Sequence, residues 1–407
     1  MSDNEHPESA KRIKLDIPEK EENNSPKLPA LPAHHGKRKT IAKLGALLNA
    51  GTEPRLPPET SRVSREGILF GMGNPLLDIC AITKEDFLEK YGLEPNNAIL
   101  AEAKHQPMYK EMASMDNVEY IAGGATQNTM RVAQWIVGKP YCATFMGSVG
   151  KDEFSETLEK KAKEAGVLVR YQKQDNHPTG TCAVVVTKNG MCRSLVANLA
   201  AANHFAQSHL EIPENWALME KARFYYISGF FLTVSPASIM MVGKHACENN
   251  KMFCMNLSAP FLCDLYRGPM MDAFKYVDII FGNETEAAKF SEVQKLGVTD
   301  VKEIALKVAA LEKENTKRER VVVFTQGADN VILAKDGKIS EFPAIKLPEE
   351  KLIDTNGAGD AFTGGFMAQL IQGKTIEACI KCGIWAATEI IQRSGCSFSQ
   401  DVRYTNE

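Results

Sequence analysis

A seven-residue stretch near the carboxyl terminus combines a glycine-rich turn with an acidic residue. Residues 354–360 read Asp-Thr-Asn-Gly-Ala-Gly-Asp, and a helix-forming run follows directly. Glycines let the backbone approach another group closely, and a turn that opens a helix presents unpaired N–H groups at the positive end of the helix dipole. The N–H groups of Gly357, Ala358 and Gly359 therefore predict an anion site. Asp360 is then either a plain helix cap or a base placed beside a phosphate to take a proton.

A second glycine pair, Gly123 and Gly124, ends a predicted strand and opens a predicted helix over 126–137. One interpretation is an ordinary loop with Thr126 as the helix cap. The other is a close approach of the backbone to a polar ligand, which Asn128 would reach from the first helical turn. Taken alone, the pattern leaves both interpretations open.

Composition limits the class of protein. The chain has 407 residues, a net charge of −3 and 44% hydrophobic residues, enough for a large core in one or two domains. A near-neutral charge argues against a nucleic-acid partner. The sequence contains no run of eighteen apolar residues, so it predicts no membrane span. The amino terminus lacks the apolar core of a secretory signal, so we expect an intracellular protein with reduced cysteines.

Residues 1–66 differ from the rest, with eight of the nineteen prolines and no aromatic residue or cysteine. Such a segment cannot bury enough apolar surface to order itself, which predicts a disordered tail. Its basic cluster at 10–16 is typical of a nuclear-localisation signal read by an import receptor, or of an ordinary solvated charge run. The exposed position favours import, so we expect the protein in nucleus and cytoplasm. Apolar spacing over 39–49 predicts a short amphipathic helix.

From residue 67 onward, strand-like and helix-like segments alternate, which predicts an α/β fold with a doubly wound, mainly parallel sheet and helices on both faces. The strand–helix pairs are 118–122 with 126–137, 142–147 with 153–165, 224–228 with 237–248 and 277–281 with 284–290, and further strands lie at 253–256 and 321–325.

Two regions break this alternation. Strands at 76–82 and 98–101 are separated by little helix, and strands at 181–187 and 192–197 form a hairpin around 188–190. Extra strands of this kind predict a small β-rich lid over the carboxyl-end crevice of the main sheet. The lid would be formed mainly from about 74–102, 118–123 and 178–200.

Two familiar nucleotide motifs are incomplete. The glycines at 71 and 73 would need a third at position 76 to bind a dinucleotide, but that residue is Leu76. A P-loop ending at 373–375 would need glycine where the chain has Ala368. A nicotinamide enzyme and a P-loop enzyme are therefore both disfavoured.

The turn at 354–360 resembles the second signature of the ribokinase-like carbohydrate and nucleoside kinases, and 123–128 resembles the first. They occur in the order and at the separation, about 230 residues, that this family shows. The resemblance covers residues 67–407 and implies a ribokinase-like domain with a lid. The stretches that resemble the branch acting on adenosine are 73–79, 197–203, 229–233, 256–261 and 281–287. That branch implies transfer of the γ-phosphate of ATP to the adenosine 5′-hydroxyl, by a monomer.

The resemblance implies an adenosine site shared by the large domain and the lid. Asn74 and Asp78 offer amide and acceptor groups suited to paired ribose hydroxyls, although Asp78 alone could be a paired surface carboxylate. Phe230 and Phe261 would contact the purine, although either alone is more typical of a core. The remaining contacts implied are Gly123, Gly124 and Asn128, with Cys182, Leu195 and Ala197 from the lid.

The ATP end of the site is implied in the same way. Asp360 would accept the proton of the substrate hydroxyl while the N–H groups of residues 357–359 stabilise charge on the transferring group, and Arg193 would lie over the phosphates. Asn283 and Glu286 share one face of a helix start and would organise Mg²⁺ and its waters, although Asn283 could simply cap that helix. The remaining nucleotide contacts implied are Thr325, Gly327 and Asn356.

Two residues depart from the family pattern, since Ala125 stands where serine is common and Ala98 where glutamine occurs in some members. Ala125 lacks a hydroxyl that could bond substrate, and we expect both departures to change details of the adenosine contacts but not the reaction. Two rival functions stay open: another nucleoside or sugar kinase of the superfamily, and a catalytically silent nucleoside-binding protein. Phe230 and Phe261 favour a planar base over a sugar, and retention of Asp360 disfavours a silent protein.

Overall fold

The computed structural model describes residues 66–187 and 192–405, which lie in one unit spanning 58–407. The basic cluster at 10–16, the helix expected at 39–49 and the hairpin tip at 188–190 fall outside the described residues. In the two described ranges, no helix is both long enough and apolar enough to cross a membrane.

Strands and helices alternate along the described chain. The strands are β1 (Leu69–Met72), β2 (Leu76–Ile82), β3 (Ala98–Leu100), β4 (Glu119–Gly123), β5 (Ala143–Gly150), β6 (Leu168–Gln174), β7 (Thr181–Thr187), β8 (Cys192–Asn198), β9 (Phe224–Ser228), β10 (Met252–Asn256), β11 (Ile279–Asn283), β12 (Val321–Gln326), β13 (Asp329–Lys335) and β14 (Lys338–Phe342).

The helices cover the faces of the sheets and connect the strands. They are α1 (Glu85–Tyr91), α2 (Gln106–Ala113), α3 (Ala125–Val137), α4 (Glu153–Glu164), α5 (Gln207–Leu210), α6 (Pro213–Lys221), α7 (Pro236–Glu248), α8 (Pro260–Leu265), α9 (Arg267–Phe274), α10 (Glu284–Gln294), α11 (Val301–Ala309), α12 (Ala358–Leu370) and α13 (Ile376–Ile390).

The larger sheet has nine strands in the order β14-β13-β12-β11-β10-β9-β1-β5-β6. Neighbours from β12 to β6 pair in parallel, whereas β13 pairs antiparallel with both β12 and β14 at one edge. The predicted doubly wound, mainly parallel sheet is therefore confirmed. Strand β1 lies between β5 and β9, so the strand order reverses there and leaves a crevice at the carboxyl ends of these strands.

Apolar residues cover both faces of this sheet. Neighbouring residues of one strand point to opposite faces, and in β9 the fully buried Tyr225 and Tyr226 belong to different core clusters. One cluster packs against α7, α9 and α11, the other against α3, α12 and α13. A sheet buried on both faces positions its strand ends rigidly, which a site at those ends requires.

The smaller sheet has five strands in the order β3-β8-β7-β2-β4. Its strands lie within the ranges expected for the lid. The expectation of little helix between β2 and β3 is wrong, because α1 occupies that connection. Phe87, Leu88 and Tyr91 of α1 pack with Met108 and Met112 of α2 on one lid face. The opposite face therefore remains available to the crevice.

The sequence reading also missed strands β6, β13 and β14. Strand β6 carries exposed and half-buried polar residues, and β14 is similar. Both are edge strands with one neighbour each. Their apolar pattern is weak because an edge strand need not bury both faces.

Candidate active site

The glycine-rich turn at 354–360 leads directly into helix α12, as the sequence predicted. Gly357 is the helix N-cap with φ +76°, a left-handed conformation that favours glycine. A Cβ there would lie 2.9 Å from Cβ of Cys396, whereas one on Gly359 would meet no atom within 4 Å. The turn is thus packed on one side and open on the other, where a ligand can reach the backbone of Gly359. The N–H of Ala358 donates to the carbonyl of Thr355 at 3.3 Å.

Asp354 organises this turn from within. Its Oδ1 accepts the backbone N–H of Asn356 at 2.7 Å, and its Oδ2 accepts the N–H of Gly395 at 2.7 Å. The side chain is 2% exposed. It therefore ties the turn to the carboxyl-terminal segment, a role that the sequence reading did not assign to it.

Arg193 does not lie free above a phosphate site. Its Nε donates to Oδ1 of Asp354 at 2.5 Å, its Nη2 to the carbonyl of Ile353 at 2.7 Å, and its Nη1 to its neighbour's carbonyl at 3.0 Å. The side chain is buried. A buried carboxylate needs a compensating cation, so Arg193 joins lid strand β8 to the turn instead of facing ATP as expected.

Asn128 brings the two glycine motifs together. Its Nδ2 donates to Oδ2 of Asp360 at 3.1 Å, and Oγ1 of Thr129 donates to the Asp360 carbonyl at 3.2 Å. Asp360 lies in the first turn of α12 after the cap at Gly357, and no side-chain cap bond is formed there. Asp360 is therefore not the cap of α12. Its carboxyl group faces the amide of Asn128.

The glycine pair permits two close approaches, and both are to other parts of the chain. The expected approach of this backbone to a polar ligand stays a prediction. A Cβ on Gly123 would lie 2.3 Å from Oδ1 of Asp78, and one on Gly124 would lie 2.2 Å from the carbonyl oxygen of Asn74. Gly124 also has φ +95°. These glycines thus let two candidate ribose-binding residues pack against the start of α3.

Asp78 and Asn74 carry buried polar groups beside Asp360. Burial, and then the charge of Asp360, raise the pKa of Asp78 to about 8, opposed by a hydrogen bond from the Asn356 side chain. Nδ2 of Asn74 contacts the carbonyl of Phe230 at 3.5 Å, while its buried Oδ1 has no partner among the described residues. A buried acceptor of this kind is stabilised when a hydroxyl donates to it.

Two of the lid residues predicted to contact substrate, Cys182 and Ala197, lie in one row with Asp78. Cys182 is paired with Asp78 across β2 and β7, and with Ala197 across β7 and β8. Leu195 packs in the same apolar cluster as Cys182 and Ala197. In the large domain, the rings of Phe230 and Phe261 lie 6.5 Å apart at 46°. The structure thus offers apolar surface from the lid beside Asp78, and a pair of aromatic rings in the large domain.

Asp360 has the protonation chemistry expected of a base. Burial raises its pKa to about 7, and the hydrogen bond from Asn128 acts in the opposite direction. A general base works best when its pKa lies near the working pH. Its only hydrogen-bond partner through the carboxyl group, in the part of the chain that the structure describes, is the neutral Asn128.

Asn283 and Glu286 form a reciprocal capping box at the start of α10. Oδ1 of Asn283 accepts the N–H of Glu286 at 2.8 Å, and the N–H of Asn283 donates to Oε2 of Glu286 at 3.1 Å. The capping alternative for Asn283 is therefore correct. Burial also raises the pKa of Glu286 to about 7, and among the described residues no cation pairs with it. A carboxyl group that accepts hydrogen bonds but has no paired cation fits Mg²⁺. This ion takes one or two carboxylates from the protein and retains waters.

The remaining nucleotide candidates divide between two places. Thr325 is paired with Asn283 across β11 and β12, and Gly327 follows at φ +56°. These two residues therefore lie beside the candidate metal position. Asn356 instead contacts Asp78, on the side expected to hold ribose.

Arg131 is a further buried residue near the site that the sequence reading missed. It lies one helical turn after Asn128 in α3, where every residue from Thr126 to Trp135 is buried. A charged residue in a fully buried helix needs a specific partner. This signal can be recognised in the sequence only after the helix is known to be buried on all sides.

Comparisons with known proteins show which family this chain resembles. A model of the pfkB family of carbohydrate kinases matches residues 85–403. Adenosine kinase 2 of Arabidopsis thaliana is 56% identical over 335 residues, covering 82% of this chain and 96% of that protein. A crystal structure of Anopheles gambiae adenosine kinase, in complex with a di(adenosine-5) tetraphosphate, has TM-score 0.81 and 52% identity and covers 84% of this chain and 100% of that chain. Adenosine kinase from Schistosoma mansoni, in complex with adenosine and AMP, has TM-score 0.77 and 37% identity and covers 83% and 99% respectively.

Proposed function

This chain belongs to the pfkB family of carbohydrate kinases, within which it is an ATP-dependent nucleoside kinase, and we propose that it transfers the γ-phosphate of ATP to the 5′-hydroxyl of adenosine. The family resemblance read from residues 123–128 and 354–360 is confirmed, as is the ribokinase-like fold with its lid. The products of this reaction are AMP and ADP.

The observation that carries the proposal is the contact between Asn128 and Asp360, 232 residues apart in sequence. It joins the substrate-side motif to the anion-side motif, and Asp78 lies close enough to have its pKa raised by the charge of Asp360. A ribose held through its paired hydroxyls by Asn74 and Asp78 would therefore lie near a carboxyl group whose pKa is about 7, and its 5′-hydroxyl would be left free to react. That arrangement suits proton abstraction from an alcohol.

In the proposed step, the adenosine O5′ attacks the γ-phosphorus. The O5′–H bond breaks and its proton passes to the Asp360 carboxylate, the O5′–phosphorus bond forms, and the bond from phosphorus to the bridging oxygen of ADP breaks. Backbone N–H groups at the start of α12, chiefly that of Gly359, stabilise charge on the transferring group. Positioning and electrostatics supply most of the rate enhancement.

Asn283 and Glu286 would hold Mg²⁺ through oxygen atoms or through water, next to the nucleotide turn at Thr325 and Gly327. When bound, Mg²⁺ supplies charge neutralisation to the ATP phosphates. Arg193 supports this machinery indirectly, since its ion pair with Asp354 fixes the turn that carries Gly359 and Asp360.

A phosphotransfer assay with purified protein tests the proposal. Adenosine, guanosine, inosine and ribose are each supplied with ATP and Mg²⁺, and AMP or the matching product is measured. We expect adenosine to give the highest kcat/KM, because Phe230 and Phe261 offer apolar faces to a planar base. A higher kcat/KM for ribose would favour a sugar kinase, and no transfer to any acceptor would favour a silent nucleoside-binding protein.

We also propose that the protein occurs in both nucleus and cytoplasm, on the basis of the basic cluster at 10–16. Fusion of residues 1–66 to a fluorescent protein tests this directly. Nuclear enrichment that is lost when Lys11 and Arg12 become alanine is the expected result. A cytoplasmic signal from the unmodified fusion would overturn it.

A further inference from the structure

Arg131 extends from α3 into the space behind the catalytic pair. Its Nη1 lies 3.2 Å from the carbonyl oxygen of Ala122, 3.3 Å from that of Cys396 and 3.4 Å from Oδ1 of Asn128. Its guanidinium carbon lies 5.4 Å from the centre of the Phe398 ring. The side chain is 7% exposed. Arg131 is thus held on three sides and reaches Asn128 from the face opposite Asp360.

The chemistry of a guanidinium decides which way the Asn128 amide points. Guanidinium has only donors, whereas an asparagine amide has an acceptor oxygen at one end and a donor nitrogen at the other. The end of Asn128 that faces Arg131 must therefore be Oδ1. Nδ2 is then left to face Asp360, and it donates to Oδ2 at 3.1 Å. A donor aimed at a carboxyl oxygen stabilises the ionised form of that carboxyl.

We propose that Arg131 is a positioning residue that fixes the amide orientation of Asn128 and thereby keeps Asp360 in its proton-accepting form. The inference rests on the proposed function, because it assigns Arg131 a part in the same proton transfer. Without Arg131, the Asn128 amide can turn over and offer Oδ1 to Asp360. An acceptor at that place favours the protonated acid, which cannot act as a base.

Several other ionisable groups face Asp360, and each must be separated from this effect. Asp78 approaches from lid strand β2, Tyr226 from β9 and Cys396 from the carboxyl-terminal segment, and the charge of Asp354 in the turn acts on Asp78 and Cys396. Burial raises the pKa of Tyr226 and of Cys396, so both stay neutral between pH 6 and pH 9. Asp78 does titrate in that range, and the charge of Arg131 acts on it through space.

Comparing the same substitution with and without Asn128 separates the effect of the Asn128 amide orientation from the effect of the Arg131 charge. The dependence of kcat/KM on pH is measured for Arg131→Met in the otherwise wild-type chain and again in the Asn128→Ala chain. We expect Arg131→Met alone to raise the apparent pKa of the acidic limb by about one unit, so that activity falls about tenfold at pH 6 and little at pH 8.5. In the Asn128→Ala background, Arg131→Met should cause only the smaller shift that loss of its charge near Asp78 produces.

Two matched variants complete the series and guard against misfolding of Arg131→Met. Arg131→Lys keeps a donor-only cation and should leave the acidic limb within about 0.3 pH units of wild type. Arg131→Gln, which can donate or accept, should shift the limb as Arg131→Met does. Thermal unfolding identifies which variants are folded, and the pH profile is read only from those.

The outcomes separate this inference from the proposed function. Equal shifts from Arg131→Met in both backgrounds would mean that its charge acts through space, and would overturn the positioning role. An unshifted limb in both Arg131→Met and Arg131→Gln would overturn it as well. Failure of the wild-type protein to phosphorylate adenosine, or an acidic limb that persists in Asp360→Asn, would instead remove the proposed function itself.

Discussion

Two carboxyl groups at opposite ends of the parallel strands, here called the amino edge and the carboxyl edge of the large sheet, have very different surroundings. Asp278 is buried, whereas Asp360 is half-buried. Asp278 precedes β11 at the amino edge, where it contacts Nζ of Lys313 at 2.6 Å, Nε of Arg318 at 2.9 Å and the N–H of Phe253 at 2.9 Å. Asp360 lies at the carboxyl edge, where its carboxyl group accepts a hydrogen bond from the neutral amide of Asn128. Within the described residues, no cation forms an ion pair with it.

The neighbouring groups follow the same division. At the amino edge, the buried Arg320 donates to five backbone carbonyl oxygens. At the carboxyl edge, burial raises the pKa of Asp78 and of Glu286 as well as that of Asp360. The chain therefore compensates its buried charge where the sheet needs only to be stable. At the carboxyl edge Asp354 is paired with Arg193, but Asp78, Glu286 and Asp360 are left under-compensated, where substrate and metal ion would supply the missing partners.

The sharpest test of this contrast is Asp360→Asn, which removes the base and keeps the shape. We expect kcat for AMP formation to fall by about 10²–10⁴-fold, because the amide that replaces the Asp360 carboxylate cannot accept the proton. Adenosine binding, measured by calorimetry, should stay within a few-fold of wild type. A kcat close to that of the wild type would show that Asp360 is not the base.

At the opposite edge, Asp278→Asn should affect stability instead of activity. Removing this charge leaves Lys313, which is 8% exposed, without its buried partner, and a buried ion pair broken on one side costs about 3–5 kcal/mol. The free energy of unfolding in urea measures the loss, with kcat of the folded enzyme unchanged. Asp336→Asn is a matched control, since Asp336 is 64% exposed and 3.7 Å from Lys335. Equal effects of the two substitutions would contradict the contrast.

The same division explains which features could be read from the sequence. The turn at 354–360 and the pair at 123–124 are local patterns, because glycines and an acidic residue must stand at fixed spacing there. The ion pair of Arg193 with Asp354 and the approach of Arg131 to Asn128 depend on the lid and on the carboxyl-terminal segment. No local pattern encodes such contacts, which is why Arg193 was expected over the phosphates and Arg131 was overlooked.

Gly123→Ala examines how closely the substrate side is packed. Its new Cβ would lie 2.3 Å from Oδ1 of Asp78, so the carboxyl group must move away from the ribose position. We expect kcat/KM for adenosine to fall about 10–100-fold, mainly through a higher KM. Gly268→Ala is the matched control, because a Cβ there meets no atom within 4 Å. If Gly123→Ala leaves KM unchanged, Asp78 does not bind substrate from its present position.

The smallest expected effect is on the free energy of unfolding, which the unpaired carboxylate of Asp360 should lower. The pKa of Asp360 is about 7 in the folded protein and near 3.8 in the unfolded chain. Between pH 3.8 and pH 7, Asp360 is therefore protonated in the folded state and ionised in the unfolded state. Stability contributed at this position therefore falls as pH rises from about 4 to 7 and stays low above pH 7. Asp360→Asn abolishes this dependence.

We accordingly expect Asp360→Asn to be more stable than wild type by about 1–2 kcal/mol at pH 8, with the difference shrinking toward zero near pH 4.5. Urea unfolding at pH 5, 6.5 and 8 measures the trend, and Asp278→Asn provides the comparison because it destabilises at pH 8. If the stability advantage of Asp360→Asn over wild type grows as pH rises, the ionised Asp360 carboxylate destabilises the folded protein while serving catalysis. A difference that does not change with pH would mean that Asp360 is solvated like a surface carboxylate, and the contrast between the two edges would then be wrong.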